Sequence, residues 1–260
     1  MKPDIKPGDS PLLLAQPHGG TVIPDSILAR LNHHGHAKAD TDWHISRLYA
    51  DLLTDTTIIS TPIHRYVIDA NRDPNDQSLY PGQNTTSLCP TTTFDGEELY
   101  LDGQAPSTDE IHQRQQLYHQ PYHDALREQL ERIHQKHGYV ILYDCHSIRS
   151  LVPFLFEGKL PDFNIGTNSG GSCDPAIESA VYTVCTGAAG YRTISNGRFK
   201  GGWTTRHYGG PERGYHAIQM ELAQCNYMLE MAPWHYLDDK ADKLRVILGD
   251  ILKTLTKILD

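Results

Sequence analysis

Gly138-Tyr139-Val140-Ile141-Leu142-Tyr143-Asp144 is the clearest buried-strand run in the chain, and Cys145-His146-Ser147 follows at once. A short apolar run opened by glycine and closed by polar residues reads as a strand covered on both faces. On its N-terminal side, Ser107-Thr108-Asp109-Glu110 has the Ser-x-x-Glu spacing of a capping box. The helical pattern opened there continues to about Lys136, with a bend expected at Pro121 because proline removes a backbone donor. On the C-terminal side, Asp174-Pro175 supplies an N-cap and a proline at the first helical position, ahead of a helix to about Thr186.

The same alternation continues outward. Pro11 to Gln16 reads as a strand that enters the loop Pro17-His18-Gly19-Gly20. Ile45, Leu48, Tyr49 and Leu52 recur at helical spacing, which predicts a helix from about Asp42 to Leu53. Thr57 to Ser60 and Arg65 to Asp69 read as strands. Tyr215 to Leu222 alternates, with Ile218, Met220 and Leu222 on one face and Gln219 and Glu221 on the other. Leu244, Ile247, Leu248, Ile251, Leu252 and Leu255 mark a C-terminal amphipathic helix. No repeat or low-complexity linker interrupts the chain. The expectation is an α/β fold, one domain over residues 1–260, whose mostly parallel or mixed central sheet carries helices on both faces. From Asn71 to about Gly103 the chain is rich in Pro, Gly, Asn and Thr, without periodicity; a loop that long inside one domain points to function.

The formal net charge of −9 over 260 residues excludes nucleic acid as the main partner, because neutralising phosphates needs a basic face. It leaves open a small anionic substrate, for which a few clustered arginines suffice. The apolar runs are too short to cross a membrane, and Met1 to Ser10 lacks the apolar core of a signal peptide. The five cysteines, Cys89, Cys145, Cys173, Cys185 and Cys225, include no CxxC pair. A reducing cytoplasm is the compartment expected from them.

Open α/β sheets place their ligand sites at strand ends, and polar residues recur there. His18 follows the first strand, His146 follows the GYVILYD run, Asn71-Arg72 follows RYVID, and Glu221 sits on the last strand. Two neutral imidazoles and a carboxylate with one open position make a catalytic zinc arrangement, and a further carboxylate is needed to move the proton of an attacking water. Other histidines read differently. His33, His34 and His36 fall in a polar loop. His119 and His123 lack the glutamate of HExxH and read as a solvated helix face. Cys145 and Ser147 flank His146 but form no nucleophile elbow.

Several longer segments sit in one order along the chain. They are Pro17-His18-Gly19-Gly20, DTDWHISRLY (Asp40 to Tyr49), RYVIDANRDP (Arg65 to Pro74), LYPGQNTTSLCPTTTFDGEELY (Leu79 to Tyr100), DCHSIRS (Asp144 to Ser150), NGRFKGGWTTRHYG (Asn196 to Gly209) and QMELAQ (Gln219 to Gln224). With these, the sequence closely resembles the N-formylglutamate amidohydrolases of histidine breakdown from about Leu12 to Glu230. That family looks like a distant relative of the zinc carboxypeptidases, which implies their phosphorylase/hydrolase-like fold.

The resemblance implies metal-dependent hydrolysis of N-formyl-L-glutamate to formate and L-glutamate, with Zn2+ as the metal. Asn71 and Arg72 match the peptidases' asparagine–arginine motif, which holds a substrate carboxylate. His146-Ser147 resembles the second zinc histidine with its serine, and Glu221 falls where the catalytic glutamate is expected. The pattern breaks at Thr21, where those peptidases carry a glutamate ligand three residues after the first histidine. Asp42 is the choice for that third ligand, with Asp40 and His44 as alternatives. A dianionic substrate in an acidic protein calls for guanidinium forks; the candidates are Arg72, Arg149 and Arg206. Arg65 and Arg198 lie in the same segments and are not separable from structural roles on sequence alone. The alternatives are a zinc-dependent deacylase or carboxypeptidase acting on another N-acyl amino acid, or a metal- or carboxylate-binding protein without turnover.

Overall fold

The structure is a computed structural model that describes residues 1–79 and 82–258; Tyr80 and Pro81 of the Leu79 to Tyr100 segment, and Leu259 and Asp260, lie outside them. Among the described residues seven strands form one sheet: β1 (Asp4–Lys6), β2 (Leu12–Gln16), β3 (Thr57–Ser60), β4 (Val140–Ile148), β5 (Phe163–Gly166), β6 (Thr193–Ser195) and β7 (Tyr215–Ala223). Their order is β1-β3-β2-β4-β7-β5-β6. The central four, β3, β2, β4 and β7, run parallel, while β1 and β5 are antiparallel to their inner neighbours. The helices are α1 (Asp25–Leu28), α2 (His33–Ala37), α3 (Ile45–Tyr49), α4 (Thr108–Arg114), α5 (Gln120–His137), α6 (Pro175–Gly187), α7 (Trp203–Tyr208) and α8 (Asp238–Leu255).

Side-chain parity sorts the strands onto two cores. Leu12, Leu14, Ile141, Tyr143, Ile218, Met220 and Leu222 pack with residues of α3, α6 and α8. Leu13, Ala15, Val140, Leu142 and Ala217 pack against Tyr122, Leu126, Leu130 and Ile133 of α5. Each fully buried aliphatic side chain contributes on the order of 1.5–3 kcal/mol. The α5 face of β4 and β7 then changes character along its length. Beyond Leu142 and Ala217, the same parity carries Asp144, His146, Gln219 and Glu221, all buried. Register pairs Asp144 with Gln219 and His146 with Glu221, so four polar side chains form a two-by-two patch at the carboxyl end of adjacent strands.

The structure departs from the sequence expectations in five places. Arg65 to Asp69 is not a strand: Val67 donates to the His64 carbonyl in a turn, and Asp69 donates to the Leu88 carbonyl. Both edges of β3 are already taken, by β1 and β2. The helix expected from Asp42 to Leu53 shrinks to α3, because His44 and Asp51 both adopt left-handed backbone, with φ of 62° and 57°. His146 lies inside β4, which runs on to Ile148. The long helix from Thr108 contains a π turn at Gln115–His119, ahead of Pro121. Residues 33–37 form α2, capped by the Asn32 side chain, where a loop was expected. The short edge strands β1, β5 and β6 carry too little periodicity to be foreseen.

Candidate active site

Three chain segments bring metal-ligand atoms together. β2 ends at Gln16 and delivers His18, the turn before α3 delivers Asp42, and β4 delivers His146. His18 Nδ1 lies 3.1 Å from His146 Nδ1, and Asp42 Oδ2 is 3.8 and 3.3 Å from those two nitrogens. Four-coordinate zinc with bonds of about 2.0–2.2 Å separates its ligand atoms by roughly 3.3–3.6 Å, so the spacing suits such an ion. Among the described residues, this is the one cluster of His, Cys, Asp or Glu whose ligand atoms converge. Asp42 Oδ2, the oxygen that faces both imidazoles, is held by the Ser147 N–H at 3.1 Å, while Oδ1 lies 3.8 Å from Arg65 NH1.

The two alternatives for the third ligand are engaged elsewhere. Asp40 Oδ2 accepts from the Tyr66 hydroxyl and the Phe94 N–H, both at 2.8 Å. His44 Nε2 donates to the Trp234 carbonyl at 2.6 Å.

Outer partners orient each imidazole, the usual arrangement around a metal-binding histidine. His18 Nε2 is 2.6 Å from Asp69 Oδ1, and Arg65 pairs with the other Asp69 oxygen at 2.6 Å. Despite its burial, Asp69 is held well below the usual carboxylate range by Arg65 and His18. Burial, and then Arg65, lowers His18 and keeps it neutral. His146 Nε2 lies 3.1 Å from Asp144 Oδ1 and 3.0 Å from Asn71 Nδ2. Burial opposes a charge on His146, yet Asp144 and Asp42 together raise it well above an ordinary histidine. Asp42, Asp69 and Asp144 thus surround two imidazoles and one buried guanidinium, an electrostatic setting that favours a cation.

Glu221 stands beside His146 across the β4–β7 ladder. Burial raises its carboxyl to about 8, against the pull of His146. Gln219 Nε2 donates to Glu221 Oε2 at 3.1 Å, while Gln219 Oε1 accepts from the Gly202 N–H at 2.7 Å. Those contacts fix the amide orientation and leave Glu221 Oε1 for another partner. Gly202 is needed for space: a Cβ there would meet the Asn71 amide at 2.4 Å.

These groups open into a cleft of about 620 Å³, mouth included, lined by His18, His146, Asn71 and Glu221 at its base. Arg65, Arg72 and Arg198 line it too, with Phe94, Ile148, Leu155 and Phe199 as apolar walls. Arg72 is anchored by Nε to the Thr86 carbonyl at 2.9 Å, and Arg198 by Nε to the Leu155 carbonyl at 2.9 Å. Of the arginines put forward from sequence, only Arg72 reaches the cleft. Arg149 turns to Asp95 at 2.7 Å and Asp40 at 3.4 Å, and Arg206 Nε donates to the Gly201 carbonyl at 2.9 Å. Arg65 and Arg198 take their places. Both stand in the quoted segments, but sequence carries no signal of which arginine faces inward.

The sequence profile of the N-formylglutamate amidohydrolase family matches residues 10–228. An N-formylglutamate deformylase from Pseudomonas aeruginosa is 48% identical over 253 residues, 96% of this chain and 94% of that one. Another from Pseudomonas putida is 45% identical over 250 residues, covering 95% and 93% of the two chains. The crystal structure of an N-formylglutamate amidohydrolase from Ralstonia eutropha JMP134 superposes with a TM-score of 0.79 at 22% identity, over 98% of this chain and 97% of that one. At that identity the superposition shows a shared fold.

Proposed function

The chain belongs to the N-formylglutamate amidohydrolase family, and from that premise we propose that it hydrolyses N-formyl-L-glutamate to formate and L-glutamate. The proposal extends to a divalent metal, zinc, held by His18, Asp42 and His146, to Glu221 as the proton carrier, and to a place at the end of a histidine degradation route. A cytoplasmic setting belongs to the same reading and is supported by five free cysteines, four of them buried. No described helix is long and apolar enough to cross a membrane.

The observation that carries this reading is the convergence of His18, Asp42 and His146, of which the two histidines line a cleft together with Glu221 and three arginines. Zinc bound there would supply a Lewis acid that polarises the formyl oxygen and lowers the pKa of water to about 7. The chain's residues then divide the remaining work. Glu221 takes the proton of the attacking water and returns it to the departing amine nitrogen. Gln219 holds one Glu221 oxygen so that the other faces the cleft. Arg65, fixed by Asp69, places positive charge beside the metal donors, where the oxyanion develops. Arg72 and Arg198, both lining the cleft, neutralise the substrate's carboxylates. Asp144 orients His146 by accepting from its Nε2–H, and Asn71 lines the cleft beside Arg72 to share the carboxylate task.

The test is hydrolysis of N-formyl-L-glutamate, read as release of the free amino acid, with N-acetylglutamate, N-acetylaspartate and N-formylglutamine as comparators. The reading expects N-formyl-L-glutamate to give the highest kcat/KM. A higher value for an N-acetyl substrate would make the chain a different deacylase.

A further inference from the structure

His119 and His123 lie on the helix that covers one face of the sheet, and sequence spacing alone reads them as solvated. Both are buried, at 3% and 6% exposure. His119 Nε2 is 3.0 Å from the Arg72 carbonyl, and His123 Nε2 is 2.8 Å from the Ala70 carbonyl. A carbonyl oxygen only accepts, so each Nε2 carries the proton and donates. Burial lowers both imidazoles and keeps them neutral. His123 Nδ1 can then accept from the Tyr208 hydroxyl at 3.0 Å, which fixes its tautomer, and the Trp203 ring packs edge-on against the same imidazole.

The π turn explains how one helix makes this contact. Arg114 lies five residues before His119, and its NH1 donates to the Val67 carbonyl at 2.9 Å. A regular α-helix places neighbours three or four residues apart on one side; the wider turn brings residues 114 and 119 onto the same side. Arg114, His123 and His119 therefore donate to the carbonyls of Val67, Ala70 and Arg72. Val67 lies in the segment that sequence predicts as a strand, and Ala70 and Arg72 come just after it. The helix gives this stretch the donors that a sheet neighbour would otherwise provide.

We infer that His119 and His123 are positioning residues for substrate binding: by holding the carbonyls of Ala70 and Arg72, on either side of Asn71, they set the direction from which Arg72 enters the cleft. This rests on the proposed role of Arg72 in holding a substrate carboxylate. Neither imidazole lines the cleft, so their effect passes through the backbone and through Arg72.

The experiment compares the pair His119→Leu/His123→Leu with His119→Gln/His123→Gln, whose amides can still donate, each with and without Arg72→Ala. With N-formyl-L-glutamate, the leucine pair is expected to raise KM about tenfold, the effect of one or two lost hydrogen bonds, while kcat changes less than about twofold. The glutamine pair is expected to bring KM back to within about threefold of the unsubstituted enzyme. With Arg72→Ala present, the leucine pair is expected to raise KM no further. A leucine pair that lowers the unfolding temperature but leaves KM unchanged would overturn the inference, and so would an equal KM rise with and without Arg72. Arg72→Ala that leaves KM unchanged would instead overturn the reading beneath it, and the inference with it. If the leucine pair does not fold, His119→Leu alone is read in the same way, with a KM rise of about threefold expected.

Discussion

Among the groups assigned to chemistry, His146 and Glu221 stand on strands while Asp42, Asn71 and Arg72 stand on loops, and the fold holds the two sets by different means. His146 and Glu221 sit opposite each other in the β4–β7 ladder, placed by backbone pairing that continues from Val140 to Ile148. Asp42, Asn71 and Arg72 have no ladder beneath them. Side chains from distant elements grip their backbones instead. Gln224 Nε2 donates to the Thr41 carbonyl at 2.9 Å, and the Tyr227 hydroxyl lies 3.0 Å from the Trp43 carbonyl, on either side of Asp42. His123 and His119 do the same on either side of Asn71. Residues on the ladder are thus placed by secondary structure, whereas residues on loops depend on a few tertiary hydrogen bonds.

The comparison can be broken first on the ladder. Glu221→Gln keeps the backbone pairing and the shape of the side chain, so metal content is expected to stay unchanged while kcat falls by about 10²-fold or more. Steady-state kinetics beside metal analysis checks this, and near-normal turnover would remove Glu221 from its role.

On the loops, Arg72→Ala removes a charge partner rather than a proton carrier. The cost in kcat/KM is expected at about 2–5 kcal/mol for N-formyl-L-glutamate. An amide in place of the contacted carboxylate should penalise the unsubstituted enzyme far more than the alanine variant. Equal penalties for both carboxylates would leave Arg72 a structural role only.

A smaller effect separates holding a ligand from being one. Gln224→Met frees the Thr41 carbonyl without touching Asp42. Metal affinity is expected to weaken about tenfold, the lower end for loss of an outer-shell contact, and titration with a competing chelator measures it. Unchanged affinity would mean that the Asp42 loop holds its shape without this grip.

A separate effect concerns stability rather than catalysis. His64 and His123 are buried, and burial pushes both well below an ordinary histidine. The unfolded chain takes up protons near pH 6.5, while the folded chain does not. Their stabilisation is therefore fully present above pH 6.5 and is lost as pH falls below it, at about 1.4 kcal/mol per pH unit for each residue. Denaturant unfolding of the chelator-treated protein between pH 7 and 5 reads the slope. His64→Gln should reduce that slope, and an unchanged slope would show that His64 is protonated in the folded state.

The ladder half of the site was the legible half. Alternation along Tyr215 to Leu222 set Glu221 and Gln219 on one face, and the GYVILYD run led directly to His146. Asp42 came from the resemblance and not from periodicity, and the helix expected around it stops short because His44 turns left-handed. Arg65 to Asp69 has the β-branched composition of a strand, but both edges of β3, the strand before it, are taken by β1 and β2, which only topology reveals. His119 and His123 looked solvated because their partners are backbone carbonyls about fifty residues away, and such contacts leave no mark in local spacing. Arg149 stands just after His146 and Arg206 within the GGWTTRHYG segment, yet their guanidinium groups turn to Asp95, Asp40 and the Gly201 carbonyl.

The central claim is that His18, Asp42 and His146 hold a divalent metal that hydrolysis of N-formyl-L-glutamate requires. Formate release by the purified protein, measured before chelation, after chelation and after zinc is restored, tests it most directly. The account expects about one metal ion per chain, loss of activity on its removal and recovery on its return. Full formate release from rigorously metal-free protein would contradict it.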